Sequence, residues 1–139
     1  MAEHAVRAVL PAGWIVRTQL PLSLDDESSP EPDIVVVRGR PGDYRHEHPM
    51  RPPLAIEVAD SSLAFDRQQK GSLYARAGLE DYWIVNLVDR VLEVYRDPVA
   101  DVSAAFGWRY RSVVVLTPED TVVPLAFRAV RISVADLLP

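Results

Sequence analysis

The sequence predicts an α/β layer fold in which helices pack on a central mixed β-sheet. Three observations carry that prediction. Short apolar runs, several of them β-branched or alternating, recur at residues 34–37, 54–58, 82–86, 90–96 and 109–116, each of strand length. A longer segment with helical spacing stands between the second and third of these runs, and a short one opens the chain, so the order is helix, strands, helix, strands. Finally, 139 residues with 48% hydrophobic and 25% charged content supply one ordinary core, so a single domain over 1–139 is expected.

Each element follows from its local pattern. Residues 3–10 space Val6, Val9 and Leu10 as one helical stripe, which Pro11 and Gly13 end. Residues 14–20 read as extended, and 21–32 as a polar, acidic connection rich in Ser, Asp and Pro. Residues 39–53 hold two glycines and four prolines with little periodicity, which makes them a long loop, more often functional than structural. After the strand at 54–58, Asp60, Ser61 and Ser62 are each able to cap a helix running to about Ala77. Gly78 stands where a left-handed residue commonly ends such a helix. Residues 82–86 and 90–96 alternate as the arms of an antiparallel hairpin; 109–116 is another strand, 127–130 a short one, and 134–138 a last helical turn.

Composition narrows the function classes. The absence of cysteine excludes a disulfide framework and any thiolate zinc site. No apolar run approaches the roughly 20 residues of a membrane span, and the amino terminus lacks the order of a secretory signal, so a cytoplasmic protein with no membrane partner is expected. A net charge of −5 argues against gripping nucleic acid by bulk electrostatics. Arg38, Arg40, Arg45, Arg51, Arg67, Lys70 and Arg76 nevertheless form either a local basic rim or ordinary solvated surface.

Lys70 is the only lysine among fifteen cations, which hints that a guanidinium would not serve at that position. Lysine is a compact point charge with rotatable donors and a tunable proton, whereas arginine is a planar, permanently charged fork. Lys70 falls on the helical stripe of Leu63, Asp66, Leu73, Tyr74 and Ala77, directed at the sheet. It either snorkels outward, pairs with Asp66 at i, i+4, or meets Glu57. In the strand at 54–58, Leu54, Ile56 and Val58 take one face while Ala55, Glu57 and Ala59 take the other. Glu57 therefore lies on an exposed sheet face or is a buried carboxylate that needs a partner. Asp33, steadied by Pro32, opens the preceding strand or simply initiates a turn. Two carboxylates on neighbouring strands with one lysine suit a magnesium-dependent phosphodiester chemistry, since Mg²⁺ is a hard ion that takes oxygen ligands.

Pro32-Asp33, the run from Ala55 to Ser62, Asp66 to Lys70, Tyr74, Gly78 and the run from Asp81 to Val85 together resemble the Uma2 family, a domain of unknown function in the PD-(D/E)XK restriction-endonuclease-like superfamily. The resemblance spans roughly residues 32–96. It implies a restriction-endonuclease-like core and a Mg²⁺- or Mn²⁺-dependent endonuclease acting on DNA, with Asp33 and Glu57 as metal ligands and Lys70 assisting attack by water. The superfamily motif places its lysine two residues after the glutamate, where this chain has Ala59; Uma2-like proteins move it to the following helix, which fits Lys70.

Other residues carry weaker signals. Glu3 on the first helix and Gln19 on the first strand are candidates to complete the site. His46, Glu47 and His48 form a chelating pattern without a third partner at motif spacing, so they read as loop residues. Ser61 and Ser62 are caps before they are nucleophiles. The competing class is a noncatalytic binding or assembly module, in which Tyr82, Trp83 and Tyr95 serve a homodimer interface, although core packing also explains those rings.

Overall fold

The computed structural model describes residues 2–18, 32–38 and 52–139. Gln19, Arg40, Arg45, Arg51 and the pattern His46, Glu47 and His48 lie outside the described residues, as do most of the two connections expected at 21–32 and 39–53.

Helix α1 (Ala2–Arg7) leads into β1 (Trp14–Thr18), β2 (Ile34–Arg38) and β3 (Leu54–Ala59). A helical crossover follows, built of α2 (Leu63–Phe65), a π-helical turn (Asp66–Lys70) and α3 (Gly71–Arg76). The chain then runs through β4 (Asp81–Asn86), β5 (Val91–Ala100) and β6 (Trp108–Leu116), and closes with β7 (Thr121–Val122), β8 (Ile132–Ser133) and α4 (Val134–Leu137). The six main strands lie in sequential order, β1 to β6. All neighbours are antiparallel except β3 and β4, which run parallel. A parallel pair needs a long crossover, and here the crossover is the helical segment that carries Lys70.

The alternation read from residues 54–59 is realised as two apolar layers. Leu54 and Ile56 join Val36, Trp83, Val85 and Leu92 on one face, covered by Val6 of α1 and by Val134 and Leu137 of α4. Ala55 and Ala59 face the other way, against Tyr74 and Ala75 of α3 and Tyr82, Tyr95 and Tyr110 of the sheet. Tyr82 stands at the centre of this aromatic layer, with ring centroids 5.0 Å from Tyr74, 5.6 Å from Tyr95 and 6.1 Å from Tyr110. Each such pair contributes about 0.5–1.5 kcal/mol beyond area burial. Tyr82 and Trp83 are fully buried and Tyr95 nearly so, which assigns these rings to the core and removes them as an interface.

Three local expectations change. The helix after β3 is not one regular α-helix: the amide of Gly71 bonds back to the carbonyl of Asp66, five residues earlier, which widens one turn into π geometry. Ser62 makes no side-chain cap to the backbone and instead donates its hydroxyl to Asp66 Oδ2 at 3.0 Å. Residues 127–130 form a turn rather than a strand, closed by Val130 N–H to Phe127 O at 2.9 Å, while Phe127 packs edge-on against Trp14. The hairpin and Gly78 agree with their patterns, Gly78 at φ 81°. Among the described residues, no helix is long and apolar enough to cross a membrane.

Candidate active site

Glu57 lies in the middle of β3 on the face that packs under the crossover, and it is 1% exposed. A carboxylate taken that far from water requires a donor or a counter-charge. The Lys70 ammonium supplies both at 2.7 Å from Glu57 Oε2, so the alternatives of an exposed Glu57 and a freely snorkelling Lys70 do not hold. The i, i+4 pairing also exists, because Lys70 Nζ lies 3.5 Å from Asp66 Oδ1. Ala59, where the superfamily motif has lysine, is fully buried against α3; the same carboxylate is reached from the helix above.

Asp33 arrives from β2. The β2–β3 ladder pairs Ile34 with Ile56, and one step further places Asp33 opposite Glu57 on the same face. Its carboxylate Oδ2 accepts the backbone N–H of Val58 at 2.8 Å, which ties the end of β2 to the strand that carries Glu57. This bond fixes one carboxylate oxygen beside the glutamate.

Burial, the largest influence, pushes the Glu57 carboxyl up to about 7; the Lys70 hydrogen bond and charge pull it down, and the charges of Asp33 and Asp66 push it up again. Burial pulls Lys70 down, but its bond to Glu57 and the charges of Glu57 and Asp66 outweigh that and hold it above its ordinary value. The Tyr74 hydroxyl is a weak further donor to Glu57 Oε1 at 3.4 Å; burial, with Glu57 adding to it, drives this phenol upward, so it stays protonated.

Asp66 also belongs to this group, where local pattern gives only an inward residue able to pair with Lys70 at i, i+4. It is 1% exposed, and its Oδ1 has no hydrogen bond among the described residues. The available signal was its place on the inward stripe. What could not be seen was the π turn on which residues 66 to 70 lie, a geometry often found at functional sites.

Glu3 does not join this group. It pairs with Arg7 on the outer side of α1, and α1 buries Ala2 and Val6 in the layer on the opposite face of the sheet. Nor do the described cations form an unengaged basic rim: Arg67 binds Glu93, Lys70 binds Glu57, Arg38 lies over the Trp14 ring and Arg76 over the Phe106 ring.

The donor set can be tested against a divalent cation on its chemistry. Among the described residues, no group of three or more His, Cys, Asp or Glu is placed to hold a metal. Asp33 and Glu57 present two carboxylates on one face, hard oxygen donors of the kind Mg²⁺ takes, since that ion binds through one or two carboxylates and keeps several waters. Burial does most to raise Glu57, and the charges of Asp33 and Asp66 add to it; a cation would offset both by favouring the carboxylate. The residues therefore fit the ion.

A family model matches residues 2–135; the family is Uma2, described as "Putative restriction endonuclease". Among solved structures, a protein from Anabaena variabilis described as "a putative nuclease belonging to DUF820" is similar over 97% of this chain and 74% of its own, with a TM-score of 0.65 and 17% identity. At that identity the likeness is one of fold. No curated protein matches the chain.

Proposed function

The chain belongs to the Uma2 family, and on that premise we propose that it is a divalent-metal-dependent endonuclease that hydrolyses phosphodiester bonds of DNA. The observation that carries the reading is the Lys70 ammonium 2.7 Å from the buried Glu57 carboxylate, with Asp33 across the ladder. Asp33 and Glu57 are the residues that would hold Mg²⁺ or Mn²⁺. When bound, the cation would supply Lewis acidity toward the phosphate oxygens and make water more acidic.

The chain's own groups do the rest. Val58 N–H orients Asp33, so one ligand is preorganised by the backbone. Tyr74, kept protonated by burial, is a weak donor to the other oxygen of Glu57. Lys70 brings a compact charge with three donors, able to orient a water and to stabilise negative charge that develops on a phosphoryl oxygen. Its side chain is 25% exposed, so the residue lies at the edge of the buried layer rather than sealed within it. Because Glu57 titrates near 7, proton and cation compete for it, and ligation strengthens as pH rises through that value.

The test is cleavage of single- and double-stranded DNA with Mg²⁺ or Mn²⁺, comparing wild type with Lys70→Ala and Glu57→Gln. Cleavage by wild type that both substitutions abolish supports the reading. Activity that survives both would sink the site, and no cleavage under any condition would favour a noncatalytic nuclease-fold module.

A further inference from the structure

Asp66 is a buried carboxylate beside Glu57 that the proposed chemistry does not use. Asp66 Oδ2 accepts from Ser62 Oγ at 3.0 Å, and the Asp66 backbone carbonyl accepts from Tyr82 O–H at 2.9 Å and from the Gly71 amide. The backbone and one carboxylate oxygen are thereby held, while Oδ1, buried and without a hydrogen bond among the described residues, has only the Lys70 ammonium at 3.5 Å. A buried carboxylate oxygen satisfied only by a charge at that distance can still accept a full hydrogen bond.

We propose that Asp66 is a positioning residue that takes over the Lys70 ammonium when Glu57 turns to a divalent cation. The inference rests on Glu57 being a cation ligand. Lys70 now occupies Glu57 Oε2, on the same carboxylate a cation would use, and a divalent charge arriving there repels the ammonium. That repulsion favours a change of acceptor for the ammonium, or its departure to solvent. A shift of less than about 1 Å brings it to hydrogen-bonding distance of Asp66 Oδ1. The exposed Phe65 ring, 6.0 Å from Nζ, flanks the ammonium as well. A point charge with three rotatable donors can pivot between two carboxylates in this way, whereas a guanidinium held as a fork cannot. The exchange keeps the ammonium at the site while Glu57 is released.

The chain contains a single lysine, so its side-chain ammonium gives one ¹⁵N resonance with no overlap from other lysines. In the full chain without metal, Glu57→Gln should leave that resonance sharp, because Asp66 seats the ammonium. Glu57→Gln combined with Asp66→Asn should broaden it through exchange with water at least tenfold faster. Added Mg²⁺ should shift the wild-type resonance without loss, and abolish it in Asp66→Asn, with amide spectra reporting that each variant is folded. Loss of the resonance in Glu57→Gln alone, loss in wild type with Mg²⁺, or its persistence in the double variant would overturn the proposal. Calorimetry separates the two layers: Mg²⁺ that evolves no heat and leaves the wild-type resonance unmoved overturns the cation reading and this inference with it. Mg²⁺ that binds while Lys70 is lost to solvent overturns this inference alone. The wild-type arm needs no substitution at position 66.

Discussion

Glu57 and Glu93 occupy the same row of the sheet and yet are held in opposite states. The ladders pair Glu57 with Ile84 and Ile84 with Glu93, so the two glutamates share a face about 10 Å apart, two strand spacings. Both are buried, and both take a cation from the same crossover, Lys70 for one and Arg67 for the other. Around Glu93 the donors are many: Arg67 Nε at 2.9 Å with a second guanidinium nitrogen, Tyr95 O–H at 2.6 Å and Asn86 Nδ2 at 2.9 Å. Burial pushes Glu93 up, but these bonds outweigh it and hold the carboxyl below its ordinary value. Glu57 has one strong donor and a weak one, and with two further carboxylates nearby it rises to about 7. Depth of burial and the count and geometry of donors together set the state of a carboxylate, and Glu57 is both the deeper of the two and the one with fewer donors. Glu93 is saturated and structural, while Glu57 retains capacity for a ligand.

The sharpest way to break this contrast is to exchange the roles of the two glutamates in an activity assay. Glu57→Gln and Lys70→Ala should each reduce metal-dependent DNA cleavage by about 10²-fold or more, whereas Glu93→Gln should leave cleavage by the folded protein within a few-fold. Equal losses at both positions would erase the distinction.

Stability should show the reverse order. Arg67→Ala leaves Glu93 buried without its fork and should cost about 2–3 kcal/mol in denaturant unfolding, toward the lower end for a broken buried pair because Arg67 is half exposed. The next effect is pH dependence. A folded carboxyl raised from 4.5 to about 7 binds protons that the unfolded chain has already released. Its contribution to stability is therefore present below the unfolded value and is lost as pH rises toward the folded one. Between pH 5 and pH 8, in chelator, Glu57→Gln should gain about 2 kcal/mol relative to wild type. Mg²⁺ should shrink that difference by favouring the carboxylate of Glu57. Tyr74→Phe is the smallest perturbation: losing a 3.4 Å donor should change stability by under about 1 kcal/mol and push Glu57 slightly higher, measured by following its carboxyl carbon through a pH titration.

Local pattern was enough to locate the strands of the main sheet, their alternating faces, the hairpin and the left-handed Gly78, but not the short β7–β8 pair, because side-chain period and turn chemistry are properties of a few consecutive residues. It was also enough to place Lys70 on the inward stripe of its helix, and the sole lysine in an arginine-rich chain marked it for attention. Glu57 was legible as a carboxylate with apolar neighbours on its own face, but its burial was not, since that depends on the crossover folding back over β3.

What tertiary structure alone decided is which partner each charge meets. Nothing in the spacing of Arg67 and Lys70, three residues apart, says that one reaches β5 and the other β3. The fate of Glu3 was decided by the side of the sheet on which α1 packs, and that of Asp66 by a π turn whose carbonyl is held by Tyr82 from β4. Sequence by itself determined the elements and the inward or outward sense of their side chains, because those follow from backbone periodicity. The pairing of charges rests on contacts between residues distant in the chain, and Coulomb energy in a low-dielectric layer is set by ångström distances that no local pattern encodes.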